Sequence, residues 1–163
     1  MIVIEGAHVV TVSGQEYPDG HVVVDSDRIV AVGPGPGPRP DGEHRVVDGR
    51  GCLLTPGLVN THHHLYQWVT RGLAVDATLF EWLSTLYPVW AGIDEHAVHT
   101  GATGALARLA RSGATTSTDH HYVFPREGGD LLGALITAAG DVGLRFHPTR
   151  GSGGTAGPRR RPR

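Results

Sequence analysis

Leu53-Leu54-Thr55-Pro56-Gly57-Leu58-Val59-Asn60-Thr61-His62-His63-His64-Leu65-Tyr66-Gln67 is the stretch whose reading decides the fold. An apolar run, broken only by a Pro-Gly pair, ends in three histidines. Residues 53–59 read as a buried β-strand, and side chains two apart on a strand point to the same face. His62 and His64 therefore converge on one point at the C-terminal end of the strand, where α/β barrels keep their chemistry. Imidazole nitrogen is a favoured ligand of zinc and similar divalent metals. A histidine triplet also suits a solvated loop, and His63, on the opposite pleat face, reads as loop or as support behind the ligands. For His62 and His64 the strand context favours metal ligation.

Outward from this stretch, the chain changes character. Upstream, residues 2–4, 8–12, 21–25, 28–32 and 45–48 read as short Val- and Ile-rich strands, separated by turns such as Tyr17-Pro18-Asp19-Gly20. Gly33-Pro34-Gly35-Pro36-Gly37-Pro38 reads as a stiff surface loop. Downstream, strand and helix alternate, which argues for a parallel α/β architecture. Leu79, Leu83, Leu86 and Trp90 lie near helical spacing. Asp94 reads as the cap of a helix over 95–111, with an apolar stripe through Val98, Ala102, Ala105 and Leu106. Residues 114–119 form a second strand, Asp130 caps a helix over 131–141, and 144–149 form a third strand. His147, in mid-strand, reads as a core histidine, and Trp82 and Trp90 as core.

The composition narrows the function. The chain has 163 residues and a net charge of −2, which offers no electrostatic case for nucleic acid or an anionic membrane surface. Every one of its 14 basic residues is arginine, and six of the 11 histidines (His62, His63, His64, His120, His121 and His147) lie near predicted strand ends. The single cysteine, Cys52, excludes an internal disulfide and reads as a small buried hydrophobe, which suits a reducing cytoplasm. Neither a membrane span nor a signal peptide is visible, so a cytoplasmic protein is expected.

The motifs resemble a known family. Pro56-Gly57-Leu58-Val59-Asn60-Thr61-His62-His63-His64 resembles the first metal-ligand strand of the amidohydrolase superfamily, in the branch of cytosine, guanine and triazine deaminases and chlorohydrolases. His62-x-His64-x-x-Gln67 is similar to the guanine deaminase-type arrangement. Phe80-Glu81-Trp82-Leu83, Leu86-Tyr87-Pro88-Val89-Trp90, the run from Ser117 to Pro125 and that from Gly143 to Ser152 resemble the 8-oxoguanine deaminases of that branch. The likeness covers about residues 1 to 152.

The resemblance implies an incomplete (β/α)₈ TIM-type barrel, its first three β/α steps spanning 53–150, preceded by a β-domain over 1–52 that forms half of a composite β-sandwich. It implies hydrolytic deamination of a purine-type ring such as 8-oxoguanine, with guanine or s-triazine hydrolysis as the alternative. It implies one divalent metal, zinc or else iron, and a homo-oligomer for the full-length family. His62 and His64 carry over as ligands. The family's other ligands and its glutamate proton shuttle sit on later strands, and no segment resembling those strands is visible, so no catalytic residue is assigned. Gln67, three residues past His64, can donate to and accept from a ring edge. Tyr66 and Trp68 beside it suit either base stacking or packing under the loop. His121 and Tyr122 at the second strand's end, and Arg150 at the third's, are the other candidate substrate contacts, with core packing and a surface ion pair as their alternatives. Hydantoinase-, urease- and dihydroorotase-like relatives bridge two metals through a carbamylated lysine. A chain without lysine resembles the mononuclear branch instead.

A whole barrel takes about 250 residues. After Arg150 the sequence turns to Gly, Pro and Arg without apolar periodicity, the composition of a disordered basic tail over 151–163. Arginine-only, Gly/Ala/Pro-rich usage points to GC-rich coding DNA, and an interrupted reading frame is the preferred account of this end. An inactive truncated product, and complementation by a separately encoded fragment, are its corollaries.

Overall fold

The computed structural model describes residues 1–151. The chain divides into two compact units, Met1–Pro56 and a second that starts at Gly57. The tail expected over 151–163 lies, Gly151 apart, outside the described residues. Among the described residues, no helix is long and apolar enough to cross a membrane.

The first unit is one sheet: β1 (Ile2–Val10), β2 (Glu16–Asp25), β3 (Arg28–Pro34), β4 (Arg45–Asp48) and β5 (Leu53–Leu54), ordered β3-β2-β1-β4 with β5 also on β1. β1 runs antiparallel to β2 and parallel to β4 and β5. Val3, Ala7 and Val9 of β1 are buried, as are Val22 and Val23 of β2. The two strands expected over 2–4 and 8–12 are a single one. Gly6, at φ +77°, lets β1 bulge between Glu5 and Ala7 and continue. The expected turn at residues 17–20 is also strand: Tyr17 pairs with Val9 and Gly20 with Ala7, across an irregularity that accommodates Pro18. The Gly-Pro run is more than a surface loop. Gly33 and Gly37 are buried while Pro34, Pro36 and Pro38 face outward. Cys52, expected to be buried, is exposed, because it closes a turn by donating its N–H to the Gly49 carbonyl at 2.9 Å.

In the second unit β6 (Leu58–Asn60), β7 (Ala114–His121) and β8 (Arg145–Arg150) form a parallel sheet in the order β6-β7-β8. A 3₁₀ helix (Leu65–Thr70), α1 (Leu79–Trp90) and α2 (Glu95–Arg111) connect β6 to β7, and α3 (Leu131–Val142) connects β7 to β8. The mixed α/β character read from the alternation is present. Asp94 starts α2 by accepting the Ala97 N–H at 2.8 Å, and Asp130 starts α3 by accepting that of Gly133 at 2.9 Å. At the head of α1, Glu81 Oε2 accepts from both the N–H and the hydroxyl of Thr78 at 2.9 and 2.8 Å. Leu65, Tyr66, Trp90, Val98, Leu106 and Leu135 anchor a core between the helices and one face of the sheet.

Two expectations fail in this unit. The single buried strand over 53–59 is cut at Pro56-Gly57 into β5 and β6, which belong to different units. Pro56 has no N–H for a ladder, and Gly57 lies so close to Thr115 that any β-carbon would collide with that side chain. Leu53, Leu58 and Val59 are 64%, 60% and 61% exposed rather than buried. His147 is exposed, not core, because Leu144 and Phe146 take the helix-facing side of this segment and alternation turns His147 to the other face.

Candidate metal centre

The C-terminal ends of β6, β7 and β8 lie side by side, and histidines gather there. β6 stops at Asn60, so His62 and His64 stand on an irregular segment beyond the strand rather than on it. Asn60 Oδ1 accepts the His62 N–H at 2.9 Å and shapes this exit. The rings of His62 and His64 nevertheless converge, with centroids 5.3 Å apart and planes at 86°. Two imidazoles bound to one tetrahedral ion at about 2.1 Å each place their ring centres about 5 Å apart. The pair fits two ligand positions of a single metal.

The tautomer of His64 is fixed by its surroundings. Its Nδ1 lies 2.8 Å from the carbonyl oxygen of His120. A carbonyl only accepts, so Nδ1 carries the proton and Nε2 keeps its lone pair. Hydrogen bonds of this kind orient metal-binding histidines. His63, half-buried between them, has its Nδ1 enclosed without a partner among the described residues, and burial, helped by His64 and His62, pushes its pKa down.

His120 is the residue that sequence reasoning missed. Its ring centroid lies 5.9 Å from those of both His62 and His64. Its Nε2 donates to the Thr61 carbonyl at 3.2 Å, and Thr149 Oγ1 lies 3.4 Å from Nδ1. These bonds make it a neighbour of the pair; among the described residues no three His, Cys, Asp or Glu side chains are placed to hold a metal. The signal lay in topology. Parallel pairing of neighbouring strands sets the end of β7 beside the end of β6, and strand alternation then presents residue 120, not 121, on that face.

The other candidates divide. His121 is fully buried on the opposite face of β7 from His120, edge-on to Tyr66 and Phe124 at 5.1 and 4.8 Å. There it packs against aromatics, and burial pushes its pKa down to about 4. Asp119 shares this face, also fully buried, with its carboxyl pushed up to about 6 by burial. Tyr122 is brought to the site, its ring centroid 5.2 Å from that of His64. Arg150 ends β8 with its guanidinium 4.1 Å from the centre of the Phe124 ring. Gln67 lines a cavity of about 460 Å³ together with His62, His63, His64, Trp68 and Trp82. The 3₁₀ helix that carries Gln67 is fixed from below: Trp90 Nε1 donates to Thr70 Oγ1, which donates to the Gln67 carbonyl, both at 3.0 Å. Tyr66 is fully buried in the core, whereas Trp68 is half-buried at the cavity wall.

A profile of the amidohydrolase family matches residues 53–156. 8-Oxoguanine deaminase of Pseudomonas aeruginosa is 42% identical over 147 residues, 87% of this chain and 32% of that protein. Hydroxydechloroatrazine ethylaminohydrolase of Pseudomonas sp. (strain ADP) is 42% identical over 111 residues, 65% of this chain and 23% of that protein. The crystal structure of atrazine chlorohydrolase from Arthrobacter aurescens TC1 complexed with zinc matches with a TM-score of 0.84 at 33% identity, covering 92% of this chain and 35% of that one. The chain thus spans between 23% and 35% of the length of these relatives.

Proposed function

This chain belongs to the amidohydrolase family, and on that premise we propose that it supplies the first part of a metal-dependent hydrolase that deaminates a purine-type ring such as 8-oxoguanine. The observation that carries the proposal is the His62–His64 pair, held at 5.3 Å with Nδ1 of His64 tied to the His120 carbonyl, beside the cavity that Gln67 lines. In this reading the sheet β6-β7-β8 is the start of a (β/α)₈ barrel over 53–150. The residues before it, 1–52, contribute to a β-sandwich.

His62 and His64 would hold one divalent cation, zinc in the first place, His64 through its Nε2. When bound, such an ion lowers the pKa of its water from 15.7 toward about 7 and supplies hydroxide at neutral pH. The chain's own residues bind and orient the ring. The Gln67 amide donates to one ring-edge atom and accepts from another. Trp68 and Trp82 give the cavity flat apolar walls, and Tyr122, whose ring meets that of His64, is the further candidate contact. Arg150 pairs with His121 and stacks on Phe124, on the face turned away from the histidine pair, and so is left out of the ring's contacts. His121, buried on the far face, packs beneath the site and takes no part in substrate contact. A second reading, hydrolysis of an s-triazine, is favoured by the likeness to atrazine chlorohydrolase.

The test joins residues 1–150 to the remaining two-thirds of the Pseudomonas aeruginosa 8-oxoguanine deaminase. The chimera is expected to release ammonia from 8-oxoguanine faster than from guanine or a hydroxylated s-triazine. His64→Ala should cost about 100-fold or more in kcat/KM. A folded chimera indifferent to His64→Ala defeats the proposal, and a preference for the triazine moves it to the second reading. The 163-residue chain alone is expected to release no ammonia, because it offers two of the three ligands a catalytic metal site needs.

A further inference from the structure

Building on the metal-site reading above, we propose that Asp119 is a positioning residue, which fixes the course of the chain just past His64 and so the aim of that imidazole. Three consecutive groups at the end of β7 grip three consecutive residues of the histidine segment. The Asp119 carboxylate, through Oδ1, accepts the Leu65 N–H at 2.7 Å. The His120 N–H donates to the His63 carbonyl at 2.9 Å. The His120 carbonyl accepts from His64 Nδ1 at 2.8 Å. β7 is steadied in turn by β8, because the Thr149 hydroxyl donates to the Asp119 carbonyl at 2.8 Å.

The need for such a grip follows from the topology. Ladder pairing between β6 and β7 ends at Asn60 and Ser117, so the backbone groups of residues 61–65 must find partners outside the ladder. Leu65 opens the 3₁₀ helix, and its N–H is one of the orphan donors at a helix start. No residue of its own segment caps it. Asp119 does so from the neighbouring strand.

Asp119 is also an expensive residue for its place. It is fully buried; among the described residues its Oδ2 finds no hydrogen-bond partner and its Oδ1 receives one bond, from the Leu65 N–H. An apolar side chain would fill the space without that desolvation cost. What an apolar residue cannot do is hold Leu65, and with it the single bond between Leu65 and the ligand before it.

The experiment uses the ¹⁵N-labelled 163-residue chain with Asp119→Asn and Asp119→Ala. Long-range ¹H–¹⁵N correlations report the His64 tautomer without metal, and cobalt(II) absorbance in a chelator competition reports affinity. Asp119→Asn keeps an acceptor oxygen and is expected to match the wild type in both. Asp119→Ala is expected to mix the His64 tautomers and to bind cobalt about 10- to 100-fold more weakly. An Asp119→Ala chain that keeps the Nδ1–H tautomer and wild-type affinity overturns the proposal. Should Asp119→Ala fail to fold, amide exchange in the wild type decides: a protected Leu65 N–H supports the grip, and one exchanging freely refutes it. A wild-type chain that binds no cobalt overturns the metal-site reading instead, and the tautomer and exchange results still judge Asp119.

Discussion

His121 and Asp119 stand two apart on one face of β7, both fully buried, and burial drives their proton affinities in opposite directions. The His121 pKa falls from 6.5 to about 4, so the folded chain keeps it neutral where the unfolded chain protonates it. Its contribution to stability is lost as pH falls from 6.5 toward 4. The Asp119 pKa rises from 3.8 to about 6, so the folded chain takes up that proton first, and stability is gained as pH falls through the same range. Each effect amounts to up to about 3 kcal/mol, and in the wild type they offset. Urea unfolding at stepped pH is expected to show Asp119→Asn losing stability on acidification and His121→Phe gaining it. Equal slopes in the two variants refute this assignment. The residue scale is also where the sequence was most and least informative. The two-residue spacing singled out His62 and His64, whose rings do meet, but on an irregular segment rather than on the strand that the spacing presumed. The choice between His120 and His121 depended on where β7 ends and which face the helices cover, and neither is written in residues 119–122 alone.

At the scale of elements, the legible parts are those that carry their own signals. Asp94 and Asp130 were recognisable as caps because their side chains act on N–H groups three residues away, and the helices behind them begin where expected. The Thr78–Glu81 box at the head of α1 works by the same logic but went unread, since the spacing of Leu79, Leu83, Leu86 and Trp90 alone marked that helix. The break between β5 and β6 was half legible: Pro56, without an N–H for a ladder, stands in the sequence, whereas the approach of Gly57 to Thr115 is a contact distant in sequence. Gly57→Ala is expected to cost about 1–3 kcal/mol in a denaturant titration, as overpacking does. Thr115→Gly in the same chain should restore most of that loss, whereas an additive pair of losses would show that Gly57 is needed for some other reason.

On the scale of the whole molecule, the turn that exposes Cys52 places one thiol in the first unit, and all three tryptophans (Trp68, Trp82 and Trp90) lie in the second. A maleimide dye therefore labels a single site, and in a chain without lysine an amine-reactive dye has only the N-terminus to find. Dye emission follows the β-sheet of residues 1–56 while indole emission follows the histidine-bearing unit. The small valine core of the first unit buries less than the helical core of the second, so the dye transition is expected at lower urea than the tryptophan transition. Coincident curves would instead make the two units one cooperative body. The molecule thus comes with two separately addressable optical reporters, one for each unit, and neither requires an engineered residue.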